Sequence, residues 1–132
     1  MTETVPDAED LVVLTLPASS AYLSVLRTAT AGLAARLDFT LDEIEDLRIA
    51  VDEACAMLLP GAVAGGELRC LFQLEPGVIR VAITVPCTDG RLPARDTFAW
   101  TVLSALAGEV STDSDAQHHT TIRLTKRKGD VA

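Results

Sequence analysis

The sequence predicts an α+β fold: a two-layer sandwich with a mixed, mostly antiparallel sheet of about five strands and three helices on one face. Three observations predict it. Thr40 to Leu59 carries apolar residues at helical steps behind a capping box. Glu67 to Val85 changes to a period of two on either side of a Glu75-Pro76-Gly77 turn. The resulting order is strand, helix, helix, strand, strand, helix, strand, strand, and a sheet covered on one face suits the alternation of its central strands.

Leu11 to Leu16 is a short β-prone run. Pro17 and the Ser19-Ser20 pair then cap a first helix to about Leu37, with Leu23, Leu26, Thr30, Leu33 and Leu37 on one face. Gly32 within it costs about 1 kcal/mol relative to alanine. Asp38-Phe39 makes a connection so short that the next helix must lie antiparallel to the first. In that helix the Thr40 hydroxyl and the Glu43 carboxylate cap the first turn, and Asp42, Glu43 and Glu45 suit the positive end of its dipole. Leu41, Ile44, Leu47, Val51, Cys55 and Leu58 form the apolar stripe, and Pro60-Gly61 ends the helix. Glu53 points away from the stripe and shares a second, narrower face with Ala50 and Met57, where a carboxylate among small and apolar residues can line a pocket.

Leu68, Cys70, Phe72 and Leu74, then Ile79, Val81, Ile83 and Val85, mark the inward sides of an antiparallel hairpin. Pro86 to Arg95 is a loop by its two prolines and Asp89-Gly90. Asp96 or Thr97 caps a third helix that ends at Gly108, with Ala99, Val102, Leu103 and Leu106 inward. Val110 to Thr112 and Thr120 to Lys126 form the last hairpin, Thr120, Ile122 and Leu124 facing in, and Lys126-Arg127-Lys128 marks a solvated end.

At 132 residues, 48% of them hydrophobic, the chain can bury a core as one domain. Residues 1–10 read as a disordered acidic tail, 11–127 as the domain and 128–132 as a C-terminal tail. A net charge of −8 excludes a nucleic-acid binder, which needs a basic surface. The odd count of three cysteines, in no zinc spacing, fits a reduced cytoplasmic setting, and no apolar run is long enough for a membrane. His118-His119 lacks a third ligand, so no metal site is expected.

This order, with RIAVDEACAMLL on the second helix and LDFTLDEIEDLRIAVDEAC as its most specific stretch, resembles the compact anti-sigma factors of the RsbW type. They belong to the GHKL superfamily with its Bergerat ATP-binding fold, and the similarity runs from Leu11 to Lys126. It implies an actinobacterial stress or developmental regulator that forms a homodimer, sequesters an RNA-polymerase sigma factor and is released by an anti-anti-sigma protein. Typical members bind Mg-ATP and phosphorylate a serine of that antagonist.

The resemblance maps Glu53 onto the family's base or water-positioning glutamate. Met57 stands where a magnesium-holding asparagine is usual, and a thioether is a poor ligand for a hard cation. Asp89-Gly90-Arg91-Leu92-Pro93 replaces the Asp-x-Gly-x-Gly loop, with Asp89 left to bond an amino group of a base. Thr97-Phe98-Ala99 replaces a glycine-rich phosphate stretch, and Thr121 matches the threonine behind the base-binding aspartate. Glu53, Met57, Asp89, Gly90, Arg91 and Thr121 thus outline a nucleotide pocket that keeps its base-reading end and loses its phosphate and metal end. Arg27 matches the arginine that contacts both sigma factor and antagonist. The expectation is partner switching without Mg-ATP kinase chemistry. Two alternatives stay open: an active serine kinase, and a regulator gated by a non-ATP nucleotide.

Overall fold

The computed structural model describes residues 10–129, so the expected disordered tail over residues 1–9 and the terminal residues 130–132 lie outside the described residues. Five strands form one sheet: β1 Asp10–Pro17, β2 Glu67–Glu75, β3 Val78–Pro86, β4 Glu109–Ser114 and β5 His119–Arg127, in the order β1-β2-β3-β5-β4. The helices are α1 Leu23–Arg36, α2 Leu41–Leu58 and α3 Phe98–Leu106. All four strand pairings are antiparallel, where a mixed sheet was expected. The path explains this. α1 and α2 together return the chain to the end of the sheet where β1 finished, so β2 runs back along β1. α3 alone links β3 to β4, which share a direction, and β5 folds between them.

The core lies between the sheet and the helices, with Leu47, Ala50, Val51, Ala54, Cys55 and Leu58 of α2 at its centre. α2 packs between α1 and α3. Leu41 begins the apolar stripe in the sequence but is 84% exposed, because it sits about 120° around the helix from Leu47. Ala50, expected beside Glu53 on a pocket-lining face, is instead fully buried in the core. On α3 the buried residues are Trp100 and Leu103, with Leu106 packed against the core, while Ala99 and Val102 stand off it. The indole takes the inward position that the sequence pattern assigns to smaller side chains.

Local chemistry sets the turns. Gly77 adopts φ of 76° in the β2–β3 hairpin, a region a β-carbon disfavours. Asp38 takes φ of 60° after α1, and its N–H reaches the Ala35 carbonyl at 3.0 Å while Phe39 N–H reaches Ala34, closing the helix end. Thr97 caps α3, its Oγ1 accepting from Trp100 N–H at 3.1 Å.

Lys126, expected at a solvated end, is only 1% exposed. The strand alternation that turns Ile122 and Leu124 inward carries Lys126 with them. Its Nζ donates to the Leu106 carbonyl at the end of α3 at 3.2 Å and lies 3.8 Å from the Asp46 carboxylate of α2. Lys128 and Gly129, expected in a tail, are also docked: Lys128 N–H donates to Gly77 O at 2.8 Å and Lys128 Nζ to Asp38 O.

Glu43 gathers these contacts. It completes the capping box, its Oε1 accepting from Thr40 N–H at 2.7 Å, and its Oε2 accepts from Gly129 N–H at 2.5 Å. The Thr40 N–H and then the Gly129 N–H stabilise the carboxylate and hold its pKa below 4.5. A lowered folded-state pKa adds stability above the unfolded value, and that stability is lost as pH falls through the folded one. Glu43→Gln should therefore lower stability by about 1 kcal/mol at neutral pH. It should also flatten the loss of stability of the parent chain below about pH 4.5, read from urea unfolding at a series of pH values.

Candidate functional site

The inward end of β5, the end of α2 and the loop after β3 enclose an open cleft of about 210 Å³. Met57 and Leu58 come from α2, Thr120 from β5, and Cys87, Asp89, Arg91, Leu92 and Pro93 from the loop. The loop's first residues are tied to two neighbouring turns: Cys87 N–H donates to His118 O, between β4 and β5, at 2.8 Å, and Thr88 N–H to Gly61 O, just after α2, at 3.0 Å. Asp89 Oδ1 accepts from Arg91 N–H at 2.9 Å, an aspartate turn that fixes the carboxylate at the rim. Gly90 sits where a β-carbon would stand 3.3 Å from the His118 ring.

Of the residues the sequence assigns to a nucleotide pocket, Met57, Asp89 and Arg91 meet in this cleft. Gly90 is exposed in the loop beside it. Glu53 lies one turn before Met57 on α2, half-buried, and does not line the cleft. Thr121 is on the other face of the sheet, its hydroxyl 2.7 Å from that of Thr84. The threonine that faces the cleft is Thr120, because adjacent strand residues point to opposite sides. The alternation that places Thr120 inward was the signal for it in the sequence. Two larger grooves, of about 490 and 660 Å³, lie on the open face of the sheet, and among the sequence-assigned residues only Thr121 lines either. Among the described residues no three His, Cys, Asp or Glu side chains gather to hold a metal.

Arg27 stands apart from the cleft, on α1. Its Nε donates to both carboxylate oxygens of Asp52 on α2, at 2.8 Å each, with the two side chains 40% and 34% exposed. Asp52 was not singled out in the sequence, although it lies on the flank of α2 next to α1. Tyr22, Val25 and Ile49 are exposed apolar side chains on the same two-helix layer.

The thiols differ in their surroundings. Burial, reinforced by the Asp52 charge and opposed by Arg27, pushes the Cys55 pKa up to about 12, and burial pushes Cys70 up as well. Cys87 is half-buried on the cleft wall. With a thiol-reactive probe near neutral pH, Cys87 should react first in the folded protein, and Cys55 and Cys70 only on unfolding. Mass mapping of the labelled peptides checks this.

No family model matches the chain. It is 32% identical over 106 residues to the anti-sigma-F factor RsbW of Mycobacterium tuberculosis, covering 80% of this chain and 63% of that protein. It is 40% identical over 88 residues to the serine-protein kinase RsbW of Bacillus pumilus, covering 63% and 52% of the two chains. With the serine-protein kinase RsbW of Halalkalibacterium halodurans it shares 36% over 76 residues, 57% and 47% of the respective chains. The chain thus spans about half to three-fifths of the length of these curated relatives. Among solved structures it is similar to the RsbU and RsbW domains of Rv1364c from Mycobacterium tuberculosis, with a TM-score of 0.69 at 19% identity, over 89% of this chain and 32% of that one.

An antiparallel sheet with its helices on one face, and a cleft between the central helix and the loop after the hairpin, give the chain the GHKL-like fold of that structure. Within that class the chain is of the RsbW type, related to anti-sigma factors and serine-protein kinases of that name.

Proposed function

We propose that the chain sequesters an RNA-polymerase sigma factor and is displaced from it by an anti-anti-sigma protein, without Mg-ATP kinase chemistry. The observation that carries this reading is the relationship to an anti-sigma-F factor over 106 of its 132 residues, a stretch that necessarily includes positions 27–106. Arg27 supports it from the geometry. The guanidinium is half-buried and oriented by Asp52, which lies one turn along α2 from the exposed Ile49, the mixture of fixed charge and apolar surface that protein interfaces use. Two partners that both need Arg27 exclude each other, so exchange follows their concentrations and affinities.

The donor set speaks against a magnesium nucleotide. Met57 offers a soft thioether to the cleft where magnesium needs hard oxygen ligands. Thr97 Oγ1 occupies the Trp100 N–H at the start of α3, which reduces the donors that a phosphate would find there. Glu53 stands off the cleft wall. Assembly as a homodimer in the cytoplasm completes the proposal. The described residues contain no helix long and apolar enough to cross a membrane.

A second reading, an active serine kinase acting on the antagonist, is favoured by the relatives named serine-protein kinase RsbW. One experiment separates the two. The chain is offered candidate sigma factors and anti-anti-sigma proteins, with labelled ATP and magnesium present. The expected result is a sigma complex dissolved by an antagonist that stays unlabelled. Failure to hold any sigma factor overturns the anti-sigma reading, and label transfer abolished by Glu53→Ala establishes the kinase.

A further inference from the structure

The two edge strands of the sheet, β1 and β4, differ in kind. β4 is six residues long and carries Glu109 and Asp113, which are ion-paired with Arg127 and Arg123 of β5. Short length and charge keep an edge from recruiting another strand. β1 is eight residues long, and from Leu11 to Leu16 it has no charge, no glycine and no proline. Leu11 and Val13 are 62% and 48% exposed, while Val12, Leu14 and Leu16 on the other side pack toward the core. Among the described residues nothing pairs with the outer side of β1.

The register shows which backbone groups that edge presents. Ala18 N–H donates to Gly66 O, in line with the pairing of Leu16 with Leu68. In an antiparallel ladder such bonds recur at every second residue, so the even-numbered residues of β1 turn their N–H and C=O toward β2. Leu11, Val13 and Thr15 therefore turn theirs outward. Pro17, the next outward position, has no N–H and closes the run. The three outward residues are self-complementary about a twofold axis at Val13. Leu11 meets the partner's Thr15, Thr15 meets the partner's Leu11, and Val13 meets its own copy, each exchanging an N–H and a C=O. Asp10 falls opposite the partner's Leu16, so no like charges face each other.

We propose that β1 pairs antiparallel with β1 of a second copy, centred on Val13, and joins the two five-stranded sheets into one. This gives the proposed homodimer its surface, and it stands whether or not a sigma factor binds.

Sedimentation of the full chain over a range of concentrations should show a monomer–dimer equilibrium. Val13→Pro removes an outward N–H that β2 does not use. It should leave the circular dichroism spectrum unchanged and weaken association about hundredfold. Val13→Cys places two thiols across the axis, where the paired Cα atoms stand about 5.5 Å apart, within reach of a disulfide. Under a mild oxidant it should form a covalent dimer, and a mixture of Leu11→Cys and Thr15→Cys chains should cross-link more than either alone. The unaltered chain, in which Cys87 is the half-buried thiol and Cys55 and Cys70 are buried, is the control. A chain that stays monomeric at every concentration overturns the proposal, as does a dimer that Val13→Pro leaves as tight as before. Should Val13→Pro fail to fold, the cysteine variants decide: cross-linking no faster than in the unaltered chain overturns it. Sigma-factor capture is read separately, so its loss with the Val13→Cys cross-link intact defeats only the anti-sigma reading.

Discussion

Arg27→Ala is expected to lose both the sigma factor and the anti-anti-sigma protein in a pull-down while the circular dichroism spectrum stays that of the parent. An arginine whose fork pairs with a partner carboxylate near an interface centre contributes on the order of 2 kcal/mol or more, a loss of about thirtyfold in affinity. The Arg27 Nε already serves Asp52, so the terminal nitrogens are the ones offered outward. Asp52→Ala is the control that separates binding from architecture. It removes the same internal pair, more than a third exposed on each side, whose loss costs under about 1 kcal/mol of stability. The guanidinium stays in place, so Asp52→Ala should weaken partner binding much less than Arg27→Ala. If the two variants behave alike in the pull-down, or if Arg27→Ala keeps both partners, Arg27 serves only to join the helices.

The second large effect is expected at Lys126. Its ammonium group joins three elements, donating to the Leu106 carbonyl of α3 and facing Asp46 of α2 from β5. Lys126→Ala removes a fully buried four-carbon stem and strips the last turn of α3 of a cation that suits its negative end. Cavity and lost hydrogen bond together should cost about 2–4 kcal/mol, read as a lowered urea midpoint with an unchanged slope. Lys126→Met keeps most of the volume and removes the charge. Asp46 is 31% exposed and can turn to water, so this variant should lose less than about 1.5 kcal/mol. A Lys126→Ala protein within 1 kcal/mol of the parent would show the ammonium to be incidental.

Much of the architecture was legible because local chemistry and the global fold agree. The Thr40–Glu43 box, the Thr97 cap and the turn at Gly77 act within a few residues, so the sequence displays them directly. The buried arc of α2 was legible from Leu47 to Leu58 and failed at its first residue: Leu41 has the apolarity of the stripe without its angle. Lys126 shows the opposite failure. The strand period turned it inward, yet a lysine beside Arg127 and Lys128 reads as solvated until its partners on α2 and α3, distant in the sequence, are known. The candidate site carries the same lesson at single-residue scale. Choosing Thr121 over Thr120 is an offset of one position, and in a strand one position is the difference between the cleft and the opposite face of the sheet.

The pairing of β1 with β2 has a consequence for biosynthesis. Pro17 pairs with Glu67 and Asp10 with Leu74, so β1 leaves the ribosome and waits for a partner made at least fifty residues later. At about 5–20 residues per second that is an interval of several seconds, during which Leu11, Val12, Val13 and Leu14 have no neighbouring strand. The helical hairpin between them can form meanwhile from local contacts, and its closure brings the two strands within reach. Stalled or truncated chains ending before β2 should therefore be the sticky species in the cell, and a chaperone that shields short apolar strands would find its client there.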